Sequence, residues 1–411
     1  MSVTSKKIII SKKYYSVSAC PTPILHVNVK GVSQLIFTKL YIQIEMSIKS
    51  RLPRLVLHFD VNETILLGDV AGGDSFEDAI NKCIAKSALI SYADSSCIKW
   101  YDGSSMDSGC PPPLMPNWIR PEKCTSYYEY FRKSLGDKRK LFTLNGPGRG
   151  YRPVYEEVEQ ALRWPKGATK PTKSLCQDGI HHFLIPGFFK TLTELQNRGR
   201  EFSVVIRTFG DDLDDLVACV NDFAQGKHLP EFQAYPGKTL DHFHIAPENV
   251  WKGRYDENGN FNLINKANDS VISNENEVVK LLQGGYCNED SISIIACQDD
   301  YEHWAQHNYH PSAGKPLWIT KADDRYHHIF FDDNIKNNEE DSIVAARIRE
   351  TSADDFKALD GKSTLRLHGI HLVKVPTYAA VLDKNWFLKA IDACEKKRME
   401  EQLVSKSEGK K

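Results

Sequence analysis

The sequence has no run of about eighteen consecutive apolar residues, the length that a membrane-spanning helix needs, so no such span is expected. Net charge is nearly absent as well. With 53 Lys and Arg against 54 Asp and Glu, the formal charge is -1, which argues against a nucleic-acid or membrane-surface partner. The ten cysteines include no Cys-x-x-Cys pair and no spacing that joins them to histidines as zinc ligands. They read as reduced thiols of a cytoplasmic protein. No Asp or Glu precedes Glu45 and no Arg precedes Arg51. The lack of arginine argues against a transit peptide, and a secretory signal would need a clean apolar core that is missing here. Met46 would serve as a natural beginning of the domain. Residues 1–45 are therefore expected to be an extension that the fold does not need.

What is present is enough for one large domain or two smaller ones. The chain has 411 residues, 41% hydrophobic and 26% charged, the balance of an ordinary soluble globular protein. The stretch "LVLHFDVNETILLGD", residues 55–69, opens the readable part. Leu55, Val56, Leu57 and Phe59 form a short apolar run bounded by Pro53 and Asn62, which predicts a buried strand ending on Asp60. "IPGFFKTLTELQNRG", 185–199, spaces Phe188, Leu192 and Leu195 as one face of a helix that stops at Gly199. "EFSVVIRTFG", "SISIIACQDD", "HHIFFDDN" and "HLVKVPTY" read as further strands, and "NWFLKAIDACEKKRMEEQL" as a last helix. Apolar strands alternating with helices predict an α/β fold, a Rossmann-like, mostly parallel sheet with helices on both faces.

Two stretches break that rhythm. Residues 71–180 hold one helical segment, "SFEDAINKCIAKSALI", and then a Pro- and Gly-rich region with "CPPPLMP" and "NGPGRGYRP". Residues 225–288 hold "GRYDENGNFNLI", whose Asn-Gly predicts a hairpin, and a helix near "NEVVKLLQ". Both leave from strand ends and are expected to be insertions, the first acting as a cap that covers a site. The expected core is then 46–70, 181–224 and 289–385, followed by a charged helical tail at 386–411.

Three strands end on residues that can do chemistry: Asp60, Thr208, and the pair Asp332 and Asp333. Ligands of open parallel sheets bind in the crevice outside the carboxyl ends of the strands, so each residue is placed to act there. Each also has an ordinary reading. Asp60 can cap the next turn, Thr208 can satisfy strand-end backbone, and "DDNIKNNEED" can be a solvated turn. "GDDLDDL", 210–216, reads as acids favoured at the positive end of a helix. Asp74 or Ser75 reads as the cap of the helix that follows Gly72, whose glycine pair would let backbone approach an anion or act as a hinge.

Taken in chain order, "DVNET" after the first strand, "VVIRT" at the end of the second, a Lys at 315 or 321, and "FFDDN" resemble the haloacid dehalogenase superfamily over residues 55–378. The resemblance implies a Mg²⁺-dependent phosphatase of a small phosphorylated metabolite, with Asp60 as nucleophile of an aspartyl-phosphate intermediate. It also implies that Asp60, the backbone carbonyl of Asn62, and Asp332 or Asp333 hold the Mg²⁺. Thr208 and the Lys would bind the phosphoryl oxygens. Lys315, in "AGKPLWI", is favoured over Lys321, in "ITKADD".

Asn62 departs from the phosphatase pattern. That position carries an Asp which protonates the leaving group, and an Asn amide does not titrate. Glu63 is adjacent, but neighbouring side chains on an extended segment point in opposite directions. Two further readings follow: a binding or regulatory module that holds Mg²⁺ and a phosphorylated ligand without turnover, and a phosphotransferase.

Overall fold

The computed structural model describes residues 52–68, 73–92, 98–115, 120–233, 239–284, 292–336 and 343–408. All of these except Leu52 belong to one compact unit, Pro53–Lys411. The expectation for residues 1–45, and that for Gly72, lie outside the described residues.

The first strand, β1 (Arg54–Asp60), is buried along its whole length. Behind it the first insertion carries α1 (Phe76–Ser87), the short strands β2 (Leu89–Ser91), β3 (Lys99–Trp100) and β4 (Cys124–Ser126), and α2 (Arg152–Leu162). The core resumes with α3 (Pro186–Asn197), β5 (Phe202–Thr208) and α4 (Leu213–Ala224). Next come β6 (Val250–Tyr255), β7 (Phe261–Asn265), β8 (Val271–Ile272), α5 (Glu275–Leu282) and β9 (Ser293–Gln298). The last part holds β10 (Lys315–Thr320), β11 (Tyr326–Asp332), β12 (Val344–Arg349), β13 (Lys357–Ala358), β14 (Leu372–Lys374), α6 (Thr377–Leu382) and α7 (Trp386–Glu408).

Eight strands form the main sheet in the order β14-β11-β1-β5-β9-β6-β7-β8. The first six are mutually parallel, and β7 and β8 run antiparallel at one edge. From β1 the chain steps outward to β5 and β9, then crosses back to β11 and β14 on the other side. The order therefore reverses at β1, where open α/β sheets form a crevice at their carboxyl ends.

Alternation along β1 supplies both sides of the sheet. Leu55, Leu57 and Phe59 face α3, α4 and α7, and the Phe59 ring meets Phe188, Phe331 and Phe387 at centroid distances of 5.3, 4.9 and 5.3 Å. Such pairs add about 0.5–1.5 kcal/mol each beyond the area they bury. Val56 faces the other way, toward Val278, Val279 and Leu282 of α5. Helices alone were expected on both faces, but this second face is shared between α5 and a separate small sheet, β10-β12-β13, whose Leu317 and Val344 pack on Phe330.

The segment 225–288 is also placed differently from the expectation. The hairpin at "GRYDENGNFNLI" forms as β6 and β7, but β6 pairs with β9 and so lengthens the core sheet. Edge pairing of this kind depends on contacts remote in sequence, which an isolated hairpin signal does not carry. In the first insertion, "NGPGRGYRP" does not stay irregular. Pro153 occupies the first turn of α2, where the missing N–H is not needed. α3 ends as expected: Gly199 takes φ +66° just past it and donates to Gln196 at 2.9 Å. No helix among the described residues is long and apolar enough to cross a membrane.

Candidate functional site

Asp60 ends β1 and Asp332 ends β11, and the register Phe59 to Phe331 sets the two acids side by side. Asp333 follows at once. All three are buried, and one oxygen from each lies within 4.8 Å of the other two. Lys315 comes from β10, outside the main sheet, and is fully buried. Its ammonium donates to Asp60 Oδ1, and to Asp332 Oδ2 at 3.1 Å. Lys321 is exposed at the far end of the same strand and pairs with Glu350, so Lys315 is the lysine at the cluster.

The remaining oxygens are assigned one by one. Asp332 Oδ1 accepts from the Asn334 N–H at 2.8 Å. Asp333 accepts from the Asn334 amide at 3.0 Å and from Lys86 at 2.9 Å. Among the described residues no hydrogen bond reaches Asp60 Oδ2. Burial raises the Asp60 carboxyl well above the usual range, Asp332 adds to the rise, and Lys315 opposes it. Burial also pushes Asp333 up to about 7, against the pull of Lys86. Lys315 remains charged, because Asp332 and Asp60 outweigh the burial that disfavours its ammonium.

Asp60, Asp332 and Asp333 face two ammonium groups, Lys315 and Lys86, and Lys86 is shared with Glu63, so negative charge remains in excess and a cation relieves it. The donors are all hard oxygens. Opposite ligands on an octahedral cation with bonds of about 2.1 Å stand roughly 4 Å apart, and these three atoms all lie within 4.8 Å of one another. The cluster fits a small divalent metal ion.

Thr208 and Asn62 lie in a second network, beside the first. The Thr208 hydroxyl donates to Asp212 Oδ1 at 2.8 Å and accepts from the Gly210 N–H at 2.9 Å. The Asn62 amide donates to Asp212 Oδ2 at 2.9 Å. Asp212 thus ties Thr208 at the end of β5 to Asn62 beyond the end of β1. It was expected to serve the dipole of α4, yet its side chain makes no capping bond. Asp214 and Asp215 occupy that first turn instead. Of the two candidates for the cap of α1, Ser75 takes the role, in a reciprocal box with Asp78, while Asp74 pairs with Lys82 at 3.0 Å.

Glu63, next to Asn62, is held in a left-handed conformation at φ +60°. Conformations of this kind in a non-glycine residue cost about 1–3 kcal/mol and persist only where the surroundings impose them. Here Lys82, at 2.6 Å, and Lys86 grip its carboxylate. Burial would raise its pKa, but Lys86 and Lys82 override that and hold it near 2, so Glu63 carries no proton to give. Lys82 and Lys86 stand four residues apart on α1 and face the site together.

Beneath the cluster, Arg207 pairs in register with Asp60 and makes a two-point ion pair with Asp299, one arm at 2.8 Å. Its other nitrogen donates to the Pro316 carbonyl at 3.1 Å, which fixes the start of β10 and with it Lys315. Lys82, Lys86, Asp212 and the Arg207–Asp299 pair were not picked out from the sequence. The Lys-x-x-x-Lys spacing in "NKCIAK" and the paired acids that close "SISIIACQDD" were the local signals for Lys82, Lys86 and Asp299. A cavity of 610 Å³ opens at the opposite end of β10 and β11, around Lys321, Tyr326 and His328, and includes none of the clustered acids. Comparison of the chain with protein-family models, with curated proteins and with solved structures gives no match.

Proposed function

We propose that the protein is a Mg²⁺-dependent phosphohydrolase of the haloacid dehalogenase kind, acting in the cytoplasm on a small phosphorylated metabolite with Asp60 as its nucleophile. The observation that carries this reading is the asymmetry of Asp60: Lys315 holds Oδ1, while Oδ2 accepts no hydrogen bond among the described residues. A carboxylate oriented in this way presents one oxygen for in-line attack. The strand reversal at β1 and the neighbouring acids of β11 also support it.

Asp60, Asp332 and Asp333, with the Asn62 carbonyl, would hold the Mg²⁺, which supplies charge that offsets the repulsion between a carboxylate and a phosphate dianion. Asp60 Oδ2 attacks phosphorus, the bond from phosphorus to the ester oxygen breaks, and an aspartyl phosphate forms. Water then attacks phosphorus, releasing inorganic phosphate and restoring the carboxylate. Lys315 steadies Asp60 and offers a donor to phosphoryl oxygens as they gain charge, and Thr208 would join it by turning its hydroxyl away from Asp212. Asn62 has no proton to deliver and is committed to Asp212, so leaving groups that depart as stable anions are favoured. The test is phosphate release from nitrophenyl phosphate. It should require Mg²⁺, stop with a chelator, and be absent in Asp60→Asn.

A further inference from the structure

Phe209 follows Thr208 directly, just past the end of β5. The Lys315 ammonium lies over its ring, 5.0 Å from the centroid. Lys315 is fully buried, whereas Phe209 keeps part of its surface exposed. Three further rings gather there from the segment that follows β9. Trp304 stacks on Phe209 at 5.0 Å and 7°. Tyr301 stands edge-on to Phe209 at 5.8 Å, and Tyr309 edge-on to Trp304 at 5.0 Å. The core ring of Phe59 is wholly covered, but Tyr301 and Tyr309 are 47% and 48% exposed. The main chain sets this group at the rim of the sheet. The Asp299 N–H donates to the Thr208 carbonyl at 2.6 Å, and Asp300 caps the short helix Tyr301–Gln306 that follows.

Exposed aromatic rings beside a reactive centre offer a flat apolar surface on which another ring packs. Asn62, committed to Asp212, has no proton for a leaving oxygen. An oxygen attached to an aromatic ring needs none, because a phenol ionises at about pH 10 and departs as a stabilised anion. These two features are independent, and one kind of leaving group meets both. We infer that the substrate is the phosphate ester of a phenol, whose ring packs on Phe209 and Tyr301 while its phosphoryl group sits at Asp60. Asp60 Oδ2 bonds to phosphorus as the bond from phosphorus to the aryl oxygen breaks, and that oxygen keeps the electron pair as an aryloxide. The inference rests on the phosphohydrolase reading and adds the class of substrate. Phe209 then has two tasks, covering Lys315 with its ring and receiving the leaving group.

The experiment compares phenyl phosphate with hexafluoroisopropyl phosphate, whose alcohol is about as acidic as phenol but has no ring. With Mg²⁺ present, kcat/KM for the phenyl ester should be higher by about threefold to tenfold, the range that one aromatic pair supplies. Phe209→Leu and, separately, the surface change Tyr301→Leu should bring that ratio toward one, and Phe209→Tyr should keep it. Binding gives a second readout that needs no turnover. In calorimetric titrations with Mg²⁺, phenylphosphonate should bind more tightly than cyclohexylphosphonate, and both Leu variants should lose the preference. Equal kcat/KM for the two esters, equal affinity for the two phosphonates, or a preference that survives both Leu variants would each overturn the inference and leave the hydrolase reading standing. If phenylphosphonate is preferred but neither ester is hydrolysed, the hydrolase reading fails and the aryl site stands. If neither ester is hydrolysed and neither phosphonate binds, both fail.

Discussion

Asp60 and Asp332 end neighbouring parallel strands in register, and both of their carboxylates bind the ammonium of Lys315. The lysine arrives from a different sheet, so the three residues meet only when β10 is docked against the core. Arg207 makes that docking specific, by joining the strand beside Asp60 to the Pro316 carbonyl next to Lys315.

The Arg207–Asp299 pair should therefore be costly to break. Both residues are buried, and removing one partner leaves an uncompensated charge, a loss of about 3–5 kcal/mol. Asp299→Ala should lower the urea midpoint accordingly. The double variant Arg207→Met with Asp299→Leu should recover much of the loss, and urea titration of the three proteins checks both statements.

On the proposed mechanism, Asn62 sets the demand on the leaving group. The wild-type protein should hydrolyse nitrophenyl phosphate far faster than an alkyl phosphate, because only the poor leaving group needs a proton. Asn62→Asp places a second carboxylate against Asp212, which raises the proton affinity of one of the two and creates an acid at this position. The alkyl rate should then rise selectively, by up to about 10²–10⁴-fold. Steady-state rates on both substrates decide it. Equal wild-type rates would mean that another residue supplies the proton.

Acid should destabilise the fold through His182 and His228, which stack at 5.4 Å. Burial lowers His182 from 6.5 to about 4 and His228 to about 3. The folded state keeps these rings neutral while the unfolded chain takes up protons below 6.5. Their contribution is thus complete above pH 6.5 and is lost as the pH falls toward 4 and then 3. Each linked proton changes stability by roughly 1.4 kcal/mol per pH unit in that window. Urea titrations at neutral pH and near pH 4.5 should differ less for His228→Phe than for the wild type.

The strands were legible because each is an apolar run that ends abruptly on a polar residue, and that edge marks both the sheet and the rim where the buried acids gather. Asp60, Thr208, Asp332 and Asp333 were found in this way, and Lys315 by its place in the series. Other members of the site leave no such edge. Asp212 begins a helix, where acids are ordinary, so its bonds to Thr208 and Asn62 cannot be separated from dipole pairing without coordinates. Lys82 and Lys86 lie on the polar side of an amphipathic helix, and only the docking of α1 turns that side toward Glu63 and Asp333. The pairing of β6 with β9 and the separate sheet around β10 depend on contacts between segments distant in the chain, about which local patterning is silent.

Direct capture of the covalent intermediate tests the central claim. An acyl phosphate is reduced by borohydride where a free carboxylate is not, so protein quenched with borohydride during turnover of nitrophenyl phosphate should carry homoserine at position 60. Peptide mass spectrometry should find it only when Mg²⁺ and substrate are both present. Phosphate release without any modification at position 60, or turnover undiminished in Asp60→Asn, would contradict the assignment of Asp60 as the nucleophile.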